Sequence, residues 1–405
     1  MNPNPPSQTR LPFRRPPPRR ATARRGRPGG LPRFTTGSAR DAINLRWNYT
    51  NEINLATGEW TRAGYRAPAC YVTNAWSIIR ATFSAAPADL SSVTLLADTD
   101  AAIGGFAVTN VSFSNGAASN VVLSTRSATT NCVLKETFDL TWKAVFSNEI
   151  EIVTNTLGKT DGHVFYTILD EPKLPWMDSV ITNQNIWASA LDFLSQTNVC
   201  GAATFKTNAL ARLTEYLFGG HLLRYDRVQG DCKYFHFPDP SVANSHHWFD
   251  ASGYMVRNKG NVVNCYDQAY GVSLFGKLLG IESDVVFLEP FGFINETRIV
   301  GIGRSNSPFY TSGPLATATI RESNDTDRAW FLNHRYVIRN DMVFDACAGP
   351  ALGTQTHQQY LDCSVDTSTP DERDLTDFQS DPRVAGKRAG DIGNTTNDTF
   401  LVEIQ

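Results

Sequence analysis

Phe331-Leu-Asn-His-Arg-Tyr-Val-Ile-Arg-Asn-Asp-Met-Val-Phe-Asp-Ala-Cys347 reads as two short strands turning at Asn340-Asp341. A two-residue turn there pairs Arg339 with Met342, Tyr336 with Asp345 and His334 with Cys347. On that register His334, Asp345 and Cys347 share one face, with Asp345 the diagonal neighbour of His334. Asp345 is then placed to accept the Nδ1–H of His334, leaving Nε2 to act on a third group. The side-chain period is two, so a slip of one residue would send Asp345 to the other face.

The third group lies upstream in Val262-Val-Asn-Cys-Tyr-Asp-Gln-Ala269, where a loop runs straight into a helical pattern. A cysteine at a helix N-terminus sits among unpaired N–H groups and the positive end of the dipole, which favour a thiolate. The same N–H groups can stabilise an oxyanion. Ala269, Val272, Gly276 and Leu279 form a stripe that would anchor the helix against a core. By position alone Cys265 is more simply a buried structural cysteine. The histidine and carboxylate of the hairpin reverse that preference, giving a nucleophile (Cys265), a base (His334) and an orienting carboxylate (Asp345). A dyad of Cys347 with His334, or a metal site using both, is the rival, although Cys347 is expected within a strand and lacks the helix-start environment.

The segments Asn264-Cys265-Tyr266-Asp267-Gln268-Ala269, Asn333-His334-Arg335-Tyr336-Val337 and Val343-Phe344-Asp345-Ala346 resemble the transglutaminase-like branch of the papain-like cysteine superfamily. The resemblance covers about residues 180–350. It implies a papain-like α+β catalytic domain with Cys265 as nucleophile, His334 as base and Asp345 as orienter. The family often has Gly two residues before the cysteine, where this chain has Val263. Its upstream tryptophan, an oxyanion donor in some members, has Trp248 as the candidate here. Gln268 and Asn264 are further candidates for oxyanion or substrate contact. The implied chemistry is acyl transfer through a thioester: a peptidase, amidase or deamidase if water resolves it, a cross-linking enzyme if an amine does. The partner is then a protein or peptide substrate, and no cofactor or metal is called for.

Around this core the chain divides by composition. Residues 1–40 hold ten arginines, many prolines and no acidic residue, so they are expected to form a disordered arm. The net charge of −3 over 405 residues therefore leaves the rest at −13. Such an arm binds polyanions by counterion release. Residues 41–172 alternate with strand period, and Asn115-Gly116-Ala117 reads as a hairpin between Phe106–Ser114 and Ala118–Thr125. An N-terminal β-sandwich is expected there, with Trp47, Trp76 and Trp142 in its core. Residues 173–363 change period: helical stretches at Ile186–Leu194, Ala202–Phe218 and Cys265–Leu279 are followed by short strands. Residues 225–260 read as loop. The whole is α+β. Residues 364–405 are polar and expected to be mostly a flexible tail, with Thr399–Ile404 able to dock as a last strand.

Seven cysteines at irregular spacing form neither a disulfide framework nor a metal motif. Free thiols, no apolar leader and no apolar run of membrane length together favour a cytoplasmic protein without a membrane span. His246-His247 beside Trp248 lacks a third ligand at metal spacing. Gly301-Ile-Gly303 lacks the strand–helix context of a nucleotide site. Asp267 reads as a first-turn carboxylate complementing the helix dipole, and His163 as a structural histidine. The competing function is a non-catalytic binding or coat-like structural protein built from the basic arm and the β-sandwich.

Overall fold

The computed structural model describes residues 43–46, 60, 62, 64, 66–85, 88–147, 152–176, 186–241, 246–289, 293–306, 331, 333–366, 394–397 and 402–404. The expected basic arm, residues 1–40, lies outside them. The fold is mixed α+β, with strands predominating and few helices.

Eight strands form one large sheet: β1 (Asn44–Arg46), β2 (Ala69–Val72), β3 (Trp76–Ser84), β4 (Ser92–Asp98), β5 (Phe106–Ser112), β6 (Ala117–Ala128), β7 (Leu134–Ser147) and β8 (Ile152–Ile168). Their order is β1-β2-β8-β7-β4-β5-β6-β3. The expected Phe106/Ala118 hairpin forms, with Asn115 and Gly116 both at positive φ (50° and 75°). The alternation over Tyr71–Ser84 is two strands, because Asn74 turns the chain at φ 59°. The sandwich expected here is one continuous sheet folded on itself. Only Phe106↔Thr125 joins β5 to β6 within the strands, and Phe83 and Val121 from β3 and β6 pack onto Leu95 and Ala144 of β4 and β7. Trp142 joins a neighbouring apolar cluster, whereas Trp76 is 55% exposed, so the expectation of a core Trp76 does not hold.

Among the described residues helices follow with strands interleaved: α1 (Ala188–Leu194), α2 (Lys206–Glu215), β9 (Arg224–Tyr225), β10 (Phe235–His236), β11 (His247–Phe249), α3 (Ala251–Val256), β12 (Val262–Val263) and α4 (Cys265–Leu278). Then come β13 (Asp284–Glu289), β14 (Phe293–Ile294), β15 (Thr297–Ile299), β16 (Gly303–Ser305), β17 (His334–Arg339), β18 (Met342–Asp345), β19 (Ala351–Thr356), α5 (His357–Ser364), β20 (Val365–Asp366), β21 (Asn394–Asn397) and β22 (Val402–Ile404). The helix read from Ala202 begins only at Lys206, because Ala202 sits at φ 64°, and it ends in a wider π turn over Tyr216–Gly220. The stretch 225–260, read as loop, contains β10, β11 and α3 and begins at the end of β9. The stretch read as a tail supplies three short strands among the described residues: β20 pairs with β14, β21 pairs with β13, and β22 runs parallel to β11.

Helix α4 is buried nearly all round, as a helix with apolar residues on every side must be. Gly280 closes it at φ 78°; a side chain there would meet the Asp170 backbone at 2.5 Å. α4 packs on the second sheet, whose order is β19-β18-β17-β13-β21. One apolar core joins Cys70, Tyr166 and Ile168 of the large sheet to Trp176, Trp187 and the helices around α4. Trp176 Nε1 donates to the Leu274 carbonyl of α4 at 2.7 Å. No helix among the described residues is long and apolar enough to cross a membrane.

Candidate active site

The chain reaches the start of α4 through a parallel pair, Val262↔Arg224 and Val263↔Tyr225. Asn264 caps the helix. Its Oδ1 accepts from the amides of Tyr266 (2.9 Å) and Asp267 (3.2 Å), while Asp267 Oδ2 accepts from the Asn264 amide (3.1 Å). Asp267 does more than complement the dipole. Its two oxygens also accept from the amides of Lys233 (2.9 Å), Tyr234 (2.8 Å) and Phe235 (2.8 Å). Asn264 Nδ2 donates to the Gly230 carbonyl at 2.9 Å. The segment 230–235 is thereby strapped across the first turn of α4, with Cys265 held between its two anchors. Burial pushes the Asp267 carboxyl up to about 6 against the pull of these four amides.

The hairpin carrying the partner residues has the expected register: Val337↔Phe344, Ile338↔Val343 and Arg339↔Met342. Asn340 and Asp341 both take positive φ (49° and 64°), as a tight two-residue turn requires. The ladder stops at Val337↔Phe344. Beyond it Asp345 Oδ1 accepts from the amides of Cys347 (2.6 Å) and Ala348 (3.1 Å), which curls the chain out of the strand. Cys347 thus lies past the end of β18 rather than within a strand. It is fully buried, and burial, followed by the charges of Asp345 and Cys265, drives its thiol far above the usual range. These surroundings argue against Cys347 as the rival nucleophile.

Cys265, His334 and Asp345 come together. They are 3%, 2% and 1% exposed. His334 Nε2 pairs with Asp345 Oδ2 at 2.7 Å, and Cys265 acts electrostatically on the same imidazole. The nitrogens are the reverse of the sequence expectation. Nε2, not Nδ1, meets the carboxylate, because Asp345 has curled beyond the ladder instead of standing diagonally across it. Burial works against a charged His334, but the charge and hydrogen bond of Asp345, then Cys265, outweigh it and raise its pKa to about 9.

The three further candidates are placed otherwise. Gln268 is fully buried; its Nε2 donates to the carbonyls of Leu217 (3.1 Å) and Ala346 (2.8 Å), and its Oε1 accepts from the Tyr254 hydroxyl. Both amide hydrogens are spent, so Gln268 is an internal brace and not an oxyanion donor. Asn264 is likewise spent on the cap and on Gly230. Trp248 stacks on His236 at 3.7 Å with Lys259 over its ring at 5.2 Å. The second histidine of the adjacent pair, His247, stacks on Phe235. Among the described residues no group of three or more His, Cys, Asp or Glu is placed to hold a metal ion.

Two tyrosines were not among the sequence candidates. Tyr225, on β9, is buried; burial and then the charge of Cys265 push its hydroxyl well above its ordinary range, so it remains protonated. Its parallel partner Val263 stands two residues before Cys265, a proximity that only the strand pairing creates. Tyr360, on α5, donates to Asp345 Oδ2 at 2.6 Å. The spacing Thr356…Gln359 is a capping-box signal that marks this helix in the sequence.

No family model matches this chain, and no curated protein matches it. Among solved structures, the crystal structure of red sea bream transglutaminase is similar at a TM-score of 0.39 and 11% identity, covering 76% of this chain and 56% of that one. The chain therefore spans little more than half the length of that transglutaminase. A likeness this distant carries no argument about function, which is left to the geometry of the site.

Proposed function

We propose that this protein is a thiol-dependent acyltransferase or amide hydrolase acting on a protein or peptide, with Cys265, His334 and Asp345 as its catalytic residues. The observation that carries the reading is the buried His334, bonded to Asp345 at 2.7 Å and electrostatically coupled to Cys265 at the start of α4.

Cys265 Sγ attacks the substrate carbonyl carbon, and the carbonyl electron pair moves onto oxygen. Of the amides in the first turn of α4, those of Tyr266 and Asp267 are occupied by Asn264. We assign the developing oxyanion to the backbone N–H of Cys265 itself and to the Tyr225 hydroxyl. Collapse of the tetrahedral intermediate breaks the C–N bond, and the proton held on His334 goes to the departing amine. A thioester remains on Cys265. Water or a primary amine, deprotonated by His334, then attacks the thioester and restores the thiol. Asp345 orients the imidazole and stabilises its charged form throughout. Every step is performed by side chains and backbone of residues 225–345, within the region 173–363 that we take as the catalytic part. The arginine-rich segment 1–40 remains a proposed polyanion contact separate from this chemistry.

The test is ammonia release from glutamine-containing peptides, with and without an added primary amine. Release that depends on Cys265 supports the reading. Incorporation of the amine identifies cross-linking, and its absence identifies hydrolysis. A Cys265→Ala protein as active as the wild type would overturn the proposal.

A further inference from the structure

We propose that α5 is a positioning helix for the catalytic histidine, acting through the Tyr360 hydroxyl on Asp345. The inference rests on the acyl-transfer reading above and extends it beyond the three residues named there.

Tyr360 is buried, and its hydroxyl donates to Asp345 Oδ2 at 2.6 Å. That is the oxygen that holds His334 Nε2 at 2.7 Å, and the same hydroxyl stands 3.4 Å from Nε2. The other oxygen, Oδ1, is taken by the amides of Cys347 and Ala348. The carboxylate therefore has two kinds of support. The backbone amides fix its orientation through Oδ1, and Tyr360 shares Oδ2 with the imidazole. A hydroxyl donating to Oδ2 withdraws negative charge from the oxygen that stabilises the imidazolium. Tyr360 thus sets how strongly Asp345 holds the proton on His334, and it blocks movement of the imidazole off the carboxylate.

The helix is built to hold that hydroxyl in place. Thr356 and Gln359 form a capping box at its start. The His357 amide donates to the Asp341 carbonyl (2.8 Å), tying α5 to the tip of the catalytic hairpin. His357 and Tyr360 are three residues apart and so share a face. The His357 ring meets the Tyr336 hydroxyl at 2.7 Å, and the rings of Tyr336 and Tyr360 pack 4.9 Å apart. At the far end Asn295 Nδ2 donates to the Cys363 carbonyl at 2.9 Å. These anchors do not involve the Tyr360 hydroxyl, so a phenylalanine at 360 keeps the packing and deletes one interaction.

The titratable groups around the His334–Asp345 pair are Cys265 from α4, Tyr336 on the same strand as His334, Cys347 just past β18, and Tyr360 from α5. Tyr336 and Tyr360 are both held neutral by burial. Across the alkaline range their effect is therefore that of fixed dipoles, and His334 is the group whose charge changes.

The experiment follows inactivation of the full-length protein by iodoacetate against pH, with the label located by peptide mass spectrometry. An anionic reagent is drawn by the imidazolium and loses rate as His334 deprotonates. In Tyr360→Phe the alkaline limb is expected to move upward by roughly half to one pH unit, the equivalent of one hydrogen bond. Tyr336→Phe removes a hydroxyl that touches His357 instead of Asp345, and is expected to leave the limb in place. A Tyr360→Phe limb superimposed on the wild type would overturn the inference while leaving the acyl-transfer reading intact. Equal shifts in both variants would overturn it too, since they would show a general loosening of α5. If wild-type Cys265 reacts no faster than Cys363 and shows no alkaline limb, the acyl-transfer reading itself fails, and the inference with it.

Discussion

Replacing Asp345 with asparagine probes the charge that holds His334 protonated. The histidine is raised from 6.5 to about 9 although burial opposes it. That rise corresponds to roughly 3 kcal/mol in favour of the imidazolium. Asp345→Asn removes the charge that produces it and leaves the burial, so the histidine pKa is expected to fall below 6.5. Asparagine also has only one oxygen to offer. It can keep His334 or the amides of Cys347 and Ala348, but not both sets, which adds about 1–3 kcal/mol of destabilisation. The linkage has a definite sign. The folded-state pKa of His334 lies above its unfolded value, so its contribution to stability is complete below pH 6.5 and is lost as pH rises through about 9. Urea unfolding of the wild type should therefore weaken by up to about 3 kcal/mol between pH 6 and pH 10 from this group alone. In Asp345→Asn that component should vanish. The companion measurement is the pH profile of iodoacetate inactivation, whose alkaline limb should leave the region of pH 9 for one below neutrality. A variant that keeps the limb near pH 9 would refute the assignment of Asp345 as the source of the raised histidine.

Iodoacetamide should label Cys265 first at pH 6.5 to 7, because burial pushes Cys200 and Cys232 up to about 12 and drives Cys70 and Cys347 well above the ordinary thiol range. The exposed Cys363 is the internal standard, and faster labelling there would count against an activated Cys265. Gln268→Leu should cost roughly 2–4 kcal/mol in chemical denaturation, since it strips partners from the buried Leu217 and Ala346 carbonyls and from the Tyr254 hydroxyl; a loss under half of that would show these groups re-paired. Asp267→Ala releases four backbone amides and is expected to make residues 230–235 the first site of limited proteolysis, so an unchanged cleavage pattern would contradict the strap.

The site was legible where local chemistry dictates local shape. Asn340 and Asp341 tolerate left-handed backbone, which fixes the hairpin turn and therefore its register. Asn264 and Asp267 stand three apart before an apolar run, which fixes the start of α4 at Cys265. What the sequence left hidden depends on contacts between distant segments. The exchange of the two histidine nitrogens comes from the curl at Asp345, and that curl comes from side chain to backbone bonds absent from any periodic pattern. Gln268 looked available because its partners Leu217 and Ala346 are far away along the chain. Tyr225 lies close to Cys265 only through the pairing of β9 with β12. The polar edge strand Asn394–Asn397 has no alternation to announce it; it exists because β13 offers an open edge. In the large sheet the hairpins were readable, but the order β8-β7-β4-β5-β6-β3 was not, since no short-range signal specifies which long strands meet.

The central claim is a thioester on Cys265 formed with the help of His334. The direct measurement is mass spectrometry of the protein quenched during reaction with p-nitrophenyl acetate at neutral pH. The account predicts one acetyl group on the Cys265 peptide, removable by hydroxylamine and lost in His334→Ala. Acetylation spread evenly over the seven thiols, or an acetyl-Cys265 that forms as fast without His334, would contradict it.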